Sequence, residues 1–361
     1  KVSGHAIKDR LLDYASSDPS RQIPRMAKAA AVGQRFQNAL VGMMPAFWRK
    51  RITSPVFQSR TPAMEYRNLS EILSLSRQNL FVPEKSKSSR ALLYFPGCGA
   101  GIFYPSIGLA GLALLLKTGV NIVLPRTHMC CGYPLLASGD EEGMRKMERQ
   151  NVQLLNRLIT DFQWQGLEFT HILTSCGTCR EGIQGYRLRG NGSHLKHQDI
   201  MQYLLENMDK PTLAEPGQVL YHHSCHVEWE DTNPLKAGEI YAQKFKESLN
   251  LQVEMSSGCC GESGLGAMSS PRVFNPVRQQ KVQNLSEQLP GIAREVPLLV
   301  GCPSCKIGIG RCMEILGEKR RVMHTAEYVA ERLLGDDWRK DLLQRIKNAG
   351  QDNNMLLVKA K

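Results

Sequence analysis

Apolar and β-branched residues gather in short runs at 91–95, 120–124, 171–175, 218–222, 251–255 and 296–300, and these runs predict strands. Between them the apolar spacing changes to that of helices, near 105–118, 141–164, 235–248 and 274–288. Two further helices are expected at HQDIMQYLLE (197–206) and HTAEYVAERLL (324–334), each entered at a histidine. Alternating strands and helices predict an α/β chain with a small parallel sheet and crossover helices in each half. The longest apolar run, IGLAGLALLL (107–116), ends at Lys117 and is too short to span a bilayer, so it reads as a buried helix.

The same pattern is written twice. ALLYFPGC (91–98), MCCG (129–132) and ILTSCGTC (172–179) are followed by QVLYHHSC (218–225), GCCG (258–261) and LLVGCPSC (298–305). Cys98 matches Cys225, Cys130 matches Cys259, Cys131 matches Cys260, Cys176 matches Cys302 and Cys179 matches Cys305, at offsets of 127, 129, 129, 126 and 126 residues. RQNVQLLNRL (149–158) likewise parallels RQQKVQNLSEQL (278–289). Cys312 has no partner, because the corresponding position holds Tyr186, and is read as a plain thiol. Every paired cysteine follows the carboxyl end of a predicted strand, where open α/β sheets place their sites.

Eleven cysteines, an odd number, with no secretory signal at the start, argue for metal or redox chemistry in a reducing compartment rather than a disulfide scaffold. The chain opens KVSGHAIKDR without Met, so it is expected to be a piece of a longer polypeptide. Residues 1–90 hold 16 Lys and Arg against 6 Asp and Glu, a net of +10, leaving +2 for the other 271. This basic arm suits a solvated linker, a docking segment, or contact with an acidic partner or anionic membrane surface. No nucleic-acid motif accompanies the charge, and no nucleic acid is expected.

Structural zinc takes four ligands, commonly from two C-x2–4-C pairs, whereas each half here offers one C-x-x-C, an adjacent pair and a lone cysteine. An iron–sulfur cluster accepts thiolates from more widely separated directions and is favoured over zinc. Gly132 and Gly261 permit a tight turn and close approach of the backbone to an inorganic core.

At these residues the sequence resembles the CCG, or cysteine-rich, domain pair found in heterodisulfide reductases and in iron–sulfur subunits of glycolate oxidase and lactate utilisation systems. The resemblance covers about 91–335 and implies a basic helical arm (1–90), two pseudo-symmetric CCG domains (91–212 and 213–335) and a C-terminal helix and tail (336–361). It also implies that Cys98, Cys130, Cys131, Cys176 and Cys179 hold one non-cubane [4Fe–4S] cluster, and Cys225, Cys259, Cys260, Cys302 and Cys305 a second. The function expected is an electron-transfer module of a flavin-linked D-lactate- or glycolate-type dehydrogenase. The alternatives are a disulfide-reducing catalytic subunit and a non-catalytic zinc-binding assembly module. KVSGHAIKDRLLDY (1–14) is similar to the segment after a ferredoxin module, so the expected partners are such a module and a FAD protein, on the same longer chain or another subunit.

No G-x-G-x-x-G fingerprint follows any predicted strand, and no flavin or NAD is expected on this chain. His128, His222, His223 and His226 adjoin the cysteine motifs as candidates for tuning a cluster or supplying a proton. Glu262, Lys306 and Arg180 are candidates for steering an anionic substrate, while His197 and His324 suit packing or capping. The segment NALVGMMPAFWRKR (38–51) reads as a buried helix ending at Pro45, with a membrane-surface segment as the second reading. The expected location is cytoplasmic, or peripheral at the inner face of the membrane.

Overall fold

The computed structural model describes residues 6–52, 54–83, 89–208, 215–263 and 266–349, and the backbone of 351–352 and 355–358. In the first half, β2 (Arg90–Phe95), β3 (Asn121–Val123), β4 (Glu168–Thr174) and β5 (Lys196–Asp199) pair in parallel in the order β3-β2-β4-β5. In the second, β6 (Gly217–His222), β7 (Leu251–Met255), β8 (Leu298–Val300) and β9 (Val322–His324) repeat that order as β7-β6-β8-β9. A helix follows each of the first three strands of a half, which is what a parallel ladder requires. β1 (Leu80–Pro83) extends the first sheet antiparallel to β3, and the C-terminal strands β10 (Gln351–Asp352) and β11 (Met355–Val358) return to flank it.

Helices keep both faces of these sheets dry, so strand residues such as Leu92, Leu93, Val219 and Leu220 are fully buried. The expected helix over 107–116 is found at Pro105–Lys117 with every residue from Ile107 to Leu116 buried. Gly111 lets it approach β2, because a Cβ there would fall 2.6 Å from the Tyr94 hydroxyl. The helices Thr325–Leu334 and Trp338–Asn348 of the second half pack on this same helix, so a single apolar core joins the halves.

Register corrects one match between the copies. Thr174 pairs with Asp199 and Val300 with His324, so the counterpart of His324 is Asp199 and not His197. Both are N-caps: Asp199 accepts from the Met201 N–H at 2.8 Å and His324 Nδ1 from that of Ala326 at 3.2 Å. His197 lies two residues earlier, within β5.

The arm is helical, at Ala6–Ser17, Pro19–Met43, Ala46–Arg51, Pro55–Gln58 and Leu69–Leu73. The helix over 19–43 ends just before Pro45, as expected, but only its inner side is buried, through Ala27, Ala31, Gln34 and Val41. Phe36 and Met43 are each 76% exposed, and Phe47 and Trp48 are exposed too, so the expectation of a buried helix holds for one face only. No described helix is long and apolar enough to cross a membrane.

Candidate functional site

Three loops in each half leave the carboxyl ends of neighbouring strands and converge on the seam between the halves. There the ten paired cysteines form one string of neighbouring sulfurs. It runs Cys98, Cys130, Cys131, Cys179, Cys176, then Cys302, Cys305, Cys260, Cys259, Cys225. Read from either end, the string visits matched residues in the same order. At its centre Cys176 Sγ and Cys302 Sγ lie 3.5 Å apart, and at the outer end of the second set Cys225 and Cys259 are 3.8 Å apart. Cys312 is fully buried outside the string, and burial pushes its thiol up to about 12.

Crowding dictates the protonation of these sulfurs. Hydrogen bonds from Cys130 and Cys179 draw the Cys131 thiol down to about 6, and that from Cys176 draws Cys302 well below the ordinary range. Sulfurs beside them move the other way: Cys130 rises to about 12, chiefly through its hydrogen bond with Cys131, and Cys179 rises through those with Cys131 and Cys176. Cys131, Cys302 and Cys259 are lowered and the other seven are raised, so neighbouring sulfurs cannot all be thiolates unless positive charge is placed among them.

Glycine is required where backbone meets sulfur. Gly132 (φ 85°) and Gly261 (φ 70°) both adopt the left-handed turn after the cysteine pair. The Gly261 N–H points at Cys259 Sγ from 3.4 Å. A Cβ at Gly97 would fall 2.5 Å from Cys179 Sγ, and one at Gly308 would fall 2.6 Å from the Cys260 carbonyl oxygen. The seam interlocks symmetrically: Gly99 sits against Pro303, and its counterpart His226 sits against Gly177, the counterpart of Pro303.

Symmetry fails at the surface. The helices over 6–17 and 19–43 lay Leu12 and Ile23 over Cys98 and Cys130, closing the first set from outside. Cys225 and Cys259, their counterparts, are exposed.

A family model for the cysteine-rich (CCG) domain matches residues 92–184 and again 219–310, together just over half the chain. The chain belongs to this family. Among curated relatives, it is 22% identical to an uncharacterized iron–sulfur protein of Methanocaldococcus jannaschii over 67% of this chain and 45% of that protein. It is 24% identical to another such protein of Methanococcus maripaludis, over 60% of this chain and 40% of that one. The chain thus spans less than half the length of these two. It is also 24% identical to lactate utilization protein A of Geobacillus thermodenitrificans, over 66% of this chain and 98% of that protein.

The residues of both CCG domains fit an iron–sulfur core. Each domain supplies five thiols, each next to another of its set, and an inorganic cationic core is the charge that would let them ionise together. The positive-φ glycines leave room for such a core against the backbone, and an amide N–H already faces one sulfur.

Other predicted residues divide sharply. His222 joins the site: its ring nitrogen and the Cys260 and Cys305 sulfurs lie within 4.8 Å of one another, and burial presses its pKa down to about 3. His128 is likewise lowered to about 3 by burial, with Nε2 unpartnered. His223 stacks on His222, and His226 pairs with Glu181 across the seam. Glu262 does not face a substrate. It is 2% exposed and held by Arg311 at 3.2 Å and Arg278 at 3.6 Å. Lys306 is paired with Glu327 at 2.6 Å and Arg180 with Glu228, so neither is a free anion-steering charge.

Sequence reasoning passes over Lys281, which the structure brings to the site. It is 1% exposed; its Nζ donates to Ser256 Oγ at 2.7 Å and to the Ser257 carbonyl at 2.6 Å, and lies 3.3 Å from His222 Nδ1. The signal that could reveal it is a mismatch within the repeat, where the paired segments 149–158 and 278–289 place Asn151 opposite Lys281.

Proposed function

We propose that this chain is the iron–sulfur electron-transfer component of an oxidoreductase that draws electrons from a small 2-hydroxy acid such as lactate. In this reading each five-cysteine set holds one [4Fe–4S] cluster of non-cubane type, which supplies single-electron storage when bound. The carrying observation is the unbroken string of ten sulfurs, whose halves meet at the 3.5 Å approach of Cys176 and Cys302. No described side chain separates the two sets there, so an electron would cross the seam without intervening protein. The names of relatives support the reading: two are iron–sulfur proteins, and lactate utilization protein A of three bacilli matches along 95–98% of its length.

The protein's own groups would exclude water, hold the sulfurs at the seam and supply backbone N–H donors. In this reading, oxidation of the hydroxy acid falls to a FAD-containing partner. The test is co-purification with such a flavoprotein. Adding D-lactate or glycolate to the complex should bleach the visible absorbance of this chain, and an absorbance unmoved by any 2-hydroxy acid would count against the assignment. Exposure of Cys225 and Cys259 favours one second reading, reduction of a disulfide at the second set. Turnover of a small disulfide with an artificial reductant, lost in Cys259→Ala, would select it.

A further inference from the structure

The two sulfur sets differ most in buried charge. Lys281 lies on the inner face of the helix Pro271–Gln288, and its counterpart Asn151 on that of Glu141–Gln163. Both pin the loop that carries the cysteine pair: Asn151 donates to the Cys130 carbonyl at 2.7 Å, and Lys281 to that of Ser257. One side chain is neutral and the other cationic. Three acceptor atoms surround the Lys281 nitrogen, matching the three donors of an ammonium group. His222, which lies between this nitrogen and the Cys260 and Cys305 sulfurs, is replaced by Phe95 in the first half. Arg278 and Arg311 add two more buried cations against the single carboxylate of Glu262, whereas Tyr133, Glu148 and Gly185 at the matched first-half positions include no cation.

We infer that Lys281 makes the second sulfur set the more readily reduced of the two, so that electrons collect there and leave the chain at Cys225 and Cys259. This rests on the iron–sulfur reading above. A buried positive charge favours whichever state holds one more electron, and solvent contact at the two exposed cysteines acts in the same direction. The first set, closed by the arm, is then the inward relay. Each transfer moves one electron: the first centre is oxidised by one, the second is reduced by one, and the second passes that electron to an external one-electron carrier. No bond or proton changes hands. Lys281 is a positioning residue, acting through charge without touching the reacting partner.

The experiment is a redox titration of the full, anaerobically loaded chain followed by electron paramagnetic resonance. Two one-electron waves are expected, and Cys225→Ala with Cys259→Ala should remove the higher. Lys281→Met should lower the higher wave, shifting the electron's distribution between the centres by about tenfold toward the first, and should leave the lower wave in place. Lys281→Gln, which keeps a donor, should behave alike if the methionine variant folds poorly, and Lys281→Arg should retain the original value. In the metal-free protein, iodoacetamide should alkylate Cys225 and Cys259 at least about tenfold faster than Cys98 and Cys130. A higher wave unmoved in both neutral variants, or one belonging to the first set, would overturn this inference alone. A chain that takes up no iron and sulfide would overturn the iron–sulfur reading with it.

Discussion

At the scale of single residues, positions with no side chain are as restrictive as those with sulfur. Gly308→Ala places a methyl 2.6 Å from the Cys260 carbonyl, so the second cysteine loop must shift; iron content should fall to that of the first set alone, at a stability cost of about 1–3 kcal/mol. Glu262→Gln leaves Arg278 and Arg311 buried without a counter-charge and should cost about 3–5 kcal/mol in urea unfolding. Asp199 gives a pH test. Burial raises its carboxyl from 3.8 to about 7, so ionisation opposes folding, and the penalty grows as pH rises across that interval. Asp199→Asn keeps the helix cap and should stabilise the protein at pH 8 by up to about 4 kcal/mol, with no gain at pH 3. The matched cysteines and their glycines were legible in the sequence because a repeat displays them twice. The roles of Glu262, Lys306 and Arg180 were not, because their ion partners come from distant segments that proximity to a cysteine motif does not reveal.

At the scale of elements, long and strongly apolar segments announce themselves and short polar ones do not. The helix over 105–117 and the six predicted strands are present near their expected positions. β5 and β9 escape a sequence reading because KHQD and VMH are too short, and the first too polar, to carry strand periodicity; the neighbouring strand holds them. His324 shows how a helix start also ties the halves together, since it caps Thr325–Leu334 and its Nε2 lies 3.1 Å from the Ser175 carbonyl of the first half. Replacing it with alanine should cost about 2 kcal/mol, the sum of a cap and a buried hydrogen bond. The arm's first helix makes a different prediction. Leu12→Glu puts a charge into the small core over Cys130, so alkylation of Cys98 and Cys130 in the metal-free protein should rise toward that of Cys225 and Cys259.

At the scale of the whole molecule, duplication gives two equivalent sulfur sets, and later features make them unequal. The arm closes one set, the C-terminal strands return to the first sheet, and buried cations gather beside the other. The pairing of strands and cysteines across the repeat could be read from sequence because it is local and periodic. Closure of one set could not, because it depends on where helices far upstream of the cysteine loops come to rest. Electron transfer here depends on the ten sulfurs binding an inorganic core in two portions. Iron, acid-labile sulfide and zinc should therefore be measured in the anaerobically purified chain, beside variants lacking Cys130 and Cys131 or Cys259 and Cys260. The prediction is about eight irons and matching sulfide per chain, falling by about half in each variant. Zinc without sulfide, or iron unchanged by either double substitution, would contradict it.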